Sequence, residues 1–259
     1  LSLHDVLPIW AGGGWVGFAA GVSSMTETPF TVIDLGTMAY ASALEVQRSH
    51  VEEVLRSREG GVPEVGRLLL VEHAPVVTVS NRPTSAANLI ATPEMLERAG
   101  VEVCATDRGG DITYHGPGQL VAYPIFDLNR VGLRIHEHMR MLESAVIRVC
   151  EGFGVSAWRD PAATGVWTRD PARPDAPDAK GCAMGGRGRK WVSMHGLAIN
   201  VTTNLDHFGL IVPCGLVGRP VVSLERLLGE RCPSMASVKR SLVAALADEV
   251  LERIGRDGE

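Results

Sequence analysis

The stretch GRLLLVEHAPVVTVS, residues 66–80, constrains the fold more than any other. Its two apolar runs are short and are split at Ala74-Pro75, where proline bars helix continuation. Both read as buried strands. Runs of similar character occur at TVIDLG, VEVCATD, LVAYPIFDL, TGVWT and KWVSMHGLAINV. Helical spacing is confined to a few places. Leu44, Val51, Val54 and Leu55 share a face within 38–58, and Thr92-Pro93 opens a short helix that Gly100 closes. Met139, Leu142, Val146, Val149, Cys150 and Phe153 mark 135–153, and Val238, Leu242, Leu246 and Val250 mark a last helix from Met235 to Ile254, with Ser234 as its cap. Residues 169–179, RDPARPDAPDA, read as a surface loop or hairpin insertion. Strands in hairpin-like succession with few helices give an α+β class, a mixed β-sheet flanked by helices, rather than regular βαβ alternation.

The chain of 259 residues suits one large domain. Residues 1–24 contain an apolar run with no Lys or Arg before it, so they lack the charged start of a secretory signal. Met25 reads as the natural start, with 1–24 an extension outside a single catalytic domain at 25–259. A formal net charge of −5, spread over both signs, argues against nucleic-acid binding. No run is long enough to span a bilayer. Five cysteines at wide spacing, with no CxxC pair, suggest neither a zinc site nor a disulfide framework and fit a reducing cytoplasm.

Chemistry concentrates in three places. The segment from Asp107 to Gln119, DRGGDITYHGPGQ, combines glycines with Arg108, Tyr114, His115 and Gln119. It matches neither a phosphate loop nor a dinucleotide fingerprint. It reads either as tight turns in a sheet or as a wall against a ligand, where glycine allows close approach. Pro213-Cys214-Gly215 puts a thiol on a loop with a fixed backbone before it and clear space after it. Lys180 stands alone among small residues and Met184. It is either a loop-edge lysine or a buried amine, which would give up its proton more readily and serve as a general base. Cys182 is the rival nucleophile. His115 and His195 each precede glycine and read as core residues taken singly, and His136-Glu137-His138 lacks metal-site spacing. Arg187, Arg189 and Lys190 read as a solvated turn or a patch for an acidic carrier.

In combination, the blocks EHAPVVTVS, TDRGGDITYHGPGQLVAYPIFDL, GVW, Lys180 to Gly185, MHGLAINV, IVPCG and VVSL resemble the lipoate–protein ligase B family of octanoyltransferases over about residues 32–250. The resemblance implies the fold of biotin and lipoate protein ligases. It also implies that Cys214 is the acyl-accepting nucleophile and that Lys180 lowers its pKa and relays protons. Arg108, Gly109, Gly110, Asp111, Ile112, Thr113, Tyr114 and His115 match the family's substrate-binding segments, as do Ala183, Met184, Gly185, Gly196, Leu197 and Ala198. Asp111 stands where many members carry Gln or Lys, and Gly181 and Gly186 where bulkier apolar residues are common. The implied donor is octanoyl-acyl carrier protein. The implied acceptors are lipoyl domains of 2-oxoacid dehydrogenase E2 subunits and the glycine cleavage H protein. No cofactor is implied, because a thioester is already activated and needs no ATP.

Three rivals remain at this stage. An ATP-dependent ligase of the same fold needs no nucleophilic cysteine. A non-catalytic carrier-binding module has no use for Cys214 with Lys180. A cysteine hydrolase would pair the thiol with His115 or His195.

Overall fold

The computed structural model describes residues 28–60, 64–215 and 218–256. The expected extension at 1–24 lies outside the described residues. The strands are β1 (Thr31–Met38), β2 (Gly66–His73), β3 (Val76–Ser80), β4 (Glu102–Thr106), β5 (Ile112–His115), β6 (Gln119–Phe126), β7 (Trp158–Arg159), β8 (Val166–Thr168), β9 (Ala179–Arg189) and β10 (Val192–Asn200). The helices are α1 (Tyr40–Ser57), α2 (Pro93–Ala99), α3 (Ile135–Gly152), α4 (Leu224–Leu228) and α5 (Met235–Arg256). Seven strands form a large sheet in the order β1-β2-β6-β10-β9-β8-β7, and three form a small one in the order β4-β3-β5. Both sheets are mixed: β1 runs parallel to β2 and β4 parallel to β3, and the other pairings are antiparallel.

The apolar run of β2 has a simple cause. Leu68 and Leu70 face a core that includes α3 and α5, while Leu69 and Val71 face a second core that includes α1. A strand covered on both faces has no solvent side to mark with polar residues. β6 repeats this arrangement, with Leu120 and Ala122 on one face and Val121, Tyr123 and Ile125 on the other. A third core joins the small sheet to residues 205–211 through Val77, Ile112, Tyr114, Phe208 and Ile211.

Two segments differ from the sequence reading. The glycine-rich tract after Lys180 is the long strand β9, in a hairpin with β10, and not a loop. The segment 107–119 is not one loop either, since β5 runs through its middle. Where the expectation held, helix ends follow their caps: Thr92 Oγ1 accepts from Met95 N, and Gly100 closes α2 with φ of 62°. No described helix is long and apolar enough to cross a membrane.

Candidate active site

A cavity of about 470 Å³ opens where the two sheets meet. That volume lies within the usual range for small-molecule sites. Arg108, Gly109, Gly110, Asp111, Thr113 and His115 line it from the small-sheet side. Lys180, Ala183, Met184 and Gly185 line it from β9, and Gly196, Leu197 and Ala198 from β10. Ile112 and Tyr114 do not. Residues alternate across a strand, so these two point into the third core while Thr113 and His115 face the cavity. Tyr114 is nevertheless fixed: its hydroxyl lies 2.7 Å from His207 Nδ1, and a Cβ on Gly116 would overlap its ring. Sequence reading missed Tyr40, Tyr123, Met139, Thr164 and Arg82 on the wall. Tyr123 lies in the block LVAYPIFDL but was not singled out there; the other four are single residues in ordinary runs.

The two glycine tracts explain how the walls approach. A Cβ on Gly109 would sit 2.6 Å from Gly186 O, and a Cβ on Gly185 would sit 2.5 Å from Gly109 O. Real side chains do not tolerate such distances, so each tract requires the other to be bare backbone. On β10, a Cβ on Gly196 would lie 2.2 Å from Ala122 O. The residue before it, His195, has a φ of 63°, an uncommon backbone for a non-glycine residue and one that clusters at functional sites. Its amide donates to Gln47 Oε1 at 3.0 Å, and its Nε2 lies 3.1 Å from Asp107 Oδ1.

Lys180 is buried, with 6% of its surface exposed. Its amide donates to Pro220 O at 2.8 Å, and its carbonyl accepts from Val222 N at 3.1 Å. Its Nζ donates to Thr164 O at 3.1 Å and lies 4.8 Å from the centre of a Trp167 ring. Gly165 makes room for the stem: its φ is 131°, and a Cβ there would be 3.3 Å from Lys180 Cε. The Thr164-Gly165 loop is held from behind. Gly165 N donates to Glu143 Oε1 at 3.0 Å, and Trp167 Nε1 donates to Ala163 O at 3.0 Å. Glu143 is wholly buried and paired with Arg140 and Arg159.

The pairing of β8 with β9 slips between Val166↔Cys182 and Trp167↔Lys180, leaving Gly181 as an extra residue. This bulge turns Lys180 to the cavity and Cys182 to the core under α3. Burial raises the Cys182 thiol far above its usual pKa, which leaves no thiolate to react.

Pro213–Gly215 forms a single 3-10 turn, closed by Gly215 N donating to Val212 O at 3.0 Å. Gly215 has a φ of 67°, and a Cβ there would meet Asn88 Nδ2 and Asp111 Oδ2, each at 3.3 Å. The turn that carries Cys214 is thus seated against Asp111, a residue of the cavity wall. Six positions after Cys214, Pro220 begins the segment bonded to the backbone of Lys180.

Three buried histidines of this region have lowered pKa values. Burial, with His73 nearby, takes His115 down to about 3, and burial takes His73 and His195 down to about 4. The basic residues expected to form a solvated turn are partly committed: Arg187 pairs with Asp107 and Arg189 with Glu52. No group of metal-ligating side chains occurs among the described residues.

Residues 39–247 match the family model of the lipoyl protein ligase A/B catalytic domain. An octanoyltransferase of Chloroflexus aggregans is 44% identical over 218 residues, 83% of this chain and 92% of that protein. An octanoyltransferase of Bacteroides fragilis is 42% identical, covering 82% of this chain and 96% of that protein. Among solved structures, a putative lipoate protein ligase from T. acidophilum with bound lipoic acid superposes with a TM-score of 0.61 at 15% identity, covering 87% of this chain and 86% of that one. A lipoate-protein ligase A bound with ATP gives 0.59 at 14% identity, again covering 87% and 86%. At such identities the likeness concerns the fold.

Proposed function

Because this chain belongs to the lipoyl protein ligase A/B catalytic-domain family, we propose that it is an octanoyltransferase that carries its acyl group on Cys214 and delivers it to a lysine of a lipoyl domain. The donor is the phosphopantetheine thioester of octanoyl-acyl carrier protein. The acceptors are lipoyl domains of 2-oxoacid dehydrogenase E2 subunits and the glycine cleavage H protein, and the reaction runs in the cytoplasm. The observation that carries the reading is Lys180: a buried amine on the wall of the cavity, next in space to the segment that follows Cys214.

In the first half-reaction the Cys214 thiol passes its proton to Lys180. A free thiol, with pKa near 8.5, is only slightly ionised at neutral pH, so this assistance matters. The thiolate attacks the donor carbonyl, a new C–S bond forms, the donor C–S bond breaks, and the carrier sulfur leaves with the electron pair and takes the proton back from Lys180, which is then free to act as a base again. In the second, the acceptor amine attacks the Cys214 thioester. A C–N bond forms, the C–S bond breaks, the sulfur leaves with the electron pair, and the surplus amine proton goes to Lys180. Exchange between thioesters is nearly isoenergetic and aminolysis of a thioester is downhill, so the reaction requires no ATP. The apolar lining at Met139, Ala183, Met184 and Leu197 suits an acyl chain. Burial lowers the pKa of His115 and His195 and so makes each a weak base, which supports Lys180 rather than a histidine in that role.

Incubation with octanoyl-carrier protein, followed by digestion and mass spectrometry, tests the reading. The expected adduct is on Cys214, is absent in Cys214→Ala, and is discharged by an apo lipoyl domain. An adduct on Cys182, or activity that needs ATP and releases AMP, would overturn it.

A further inference from the structure

A chain of hydrogen bonds fixes where the proton of His115 sits. It begins at the carbonyl of Val222, which can only accept, and Asn200 Nδ2 donates to it at 3.1 Å. Asn200 Oδ1 therefore accepts, from Gln119 Nε2 at 2.9 Å. The same Gln119 NH₂ donates to Tyr114 O at 3.2 Å. Gln119 Oε1 must then accept too, and its partner at 2.6 Å is His115 Nδ1. Reversing the Asn200 amide would set oxygen against oxygen at Val222, and reversing Gln119 would do the same at Tyr114. Neutral His115 thus carries its hydrogen on Nδ1 and keeps a lone pair on Nε2.

That lone pair is unused among the described residues, on a ring that lines the cavity. The neighbouring His73 provides the contrast. Its Nδ1 donates to Met38 O at 2.8 Å, and its Nε2 accepts from the Tyr123 hydroxyl at 2.7 Å. One histidine of the pair is closed by the protein and the other is left for a ligand. The far end of the chain also meets Lys180, since Val222 N donates to the Lys180 carbonyl at 3.1 Å.

We propose that His115 Nε2 is the hydrogen-bond acceptor that orients the attacking amine, and that Gln119 and Asn200 are positioning residues that lock its tautomer. The inference rests on the acyl-transfer reading above and assigns a residue to its second half. A thioester has no N–H at its reacting carbon, whereas the amine arrives with N–H groups that must turn away from the carbonyl while its lone pair turns toward it. An acceptor-only nitrogen selects that rotation. As the C–N bond forms the amine becomes cationic, so its bond to Nε2 becomes charge-assisted and is stronger in the transition state than before it. His115 takes no proton itself; the surplus one still passes to Lys180 and the departing sulfur still keeps its electron pair. Around the ring stand Tyr40 of α1, His73 of β2, Gln119 of β6, His195 of β10 and Arg108. None presents a carboxylate to Nδ1.

The test separates the two half-reactions by rapid mixing, first with octanoyl-carrier protein and then with an apo lipoyl domain. In His115→Leu, transfer from the acyl-enzyme should fall about 10- to 100-fold relative to acylation, the loss of one hydrogen bond to a charged group. Gln119→Glu places a carboxylate opposite Nδ1–H and raises the ring's affinity for a proton. Its transfer rate should fall more steeply with acid between about pH 7.5 and 5.5 than that of the wild type, a change of profile that a purely structural role would not produce. Should His115→Leu fail to fold, this profile decides alone. Unimpaired transfer in His115→Leu, loss confined to acylation, or parallel pH profiles for wild type and Gln119→Glu would overturn the inference while leaving octanoyl transfer intact. A wild-type chain that passes no octanoyl group to the lysine would overturn both.

Discussion

Acid should loosen this protein through histidines remote from the chemistry, and His138 allows the effect to be measured one residue at a time. Its ring is 2% exposed and meets Phe126 edge-on at 6.2 Å, and its Nδ1 is buried without a partner. Burial, with the charge of Arg253 adding to it, lowers its pKa from 6.5 to about 4. Above pH 6.5 neither the native nor the unfolded chain protonates this ring, and its contribution to stability is complete. As the pH falls below 6.5 the unfolded chain takes up a proton that the native state refuses, so stability drops. The loss ends near pH 4, where the native ring is protonated as well. A gap of about 2.5 on the pH scale corresponds to about 3 kcal/mol in full, with about 2 kcal/mol already lost at pH 5. His138→Phe keeps a ring against Phe126 and removes the titration. Urea unfolding of both proteins at pH 7.5, 6 and 5, followed by circular dichroism, should show the variant gaining about 2 kcal/mol on the wild type between the first pH and the last. Curves that stay parallel over that range would refute the argument, because they would mean the native ring accepts protons as readily as the unfolded chain.

Three other substitutions probe the support of the site. Glu143→Leu removes the acceptor of the Gly165 amide and frees the Thr164 carbonyl that holds Lys180; steady-state kinetics should show kcat falling about 10-fold or more with KM for the carrier little changed. Gly165→Ala forces a Cβ to within 2.6 Å of Cys182 O at a φ of 131°, and thermal melts should record a loss of at least about 1–3 kcal/mol. Cys182→Ala should cost about 1 kcal/mol in stability and leave acyl transfer essentially intact; a dead but folded variant would count against Cys214 as the nucleophile.

The elements that could be read from the sequence are those whose residues answer to their own neighbours. β2 and β6 are continuous apolar runs because both faces are covered, and α3 keeps its stripe because it lies on one face of the sheet. β9 could not be read that way. Its glycines carry no strand propensity, and for two of them, Gly185 and Gly186, Gly109 O and Met139 Sδ come within 2.5 Å and 2.8 Å of where a Cβ would be. The cause lies elsewhere in the chain, so no local pattern records it. The candidate site divides in the same way. Arg108 to His115 stood out as a dense motif, but the resemblance assigned the whole stretch to substrate binding, whereas the alternation of β5 turns Ile112 and Tyr114 away from the cavity. Tyr40, Tyr123 and Glu143 gave no signal, since an aromatic or an acid within an apolar segment has many ordinary explanations.

The reciprocal glycines bear on what the cavity can discriminate. With the Gly109 and Gly185 backbones in mutual contact, the separation of these walls is set by carbonyls and amides, which have no rotamers. Adjustment is left to the long side chains that remain, above all Met139 and Met184, whose unbranched thioethers fill irregular space. A ligand lying along this fixed part of the wall meets a set cross-section, and flexible side chains elsewhere on the wall then respond to its length. Selection for a slender chain and tolerance in its length are thereby assigned to different residues, so substitutions at Met184 should alter length preference without admitting branched chains.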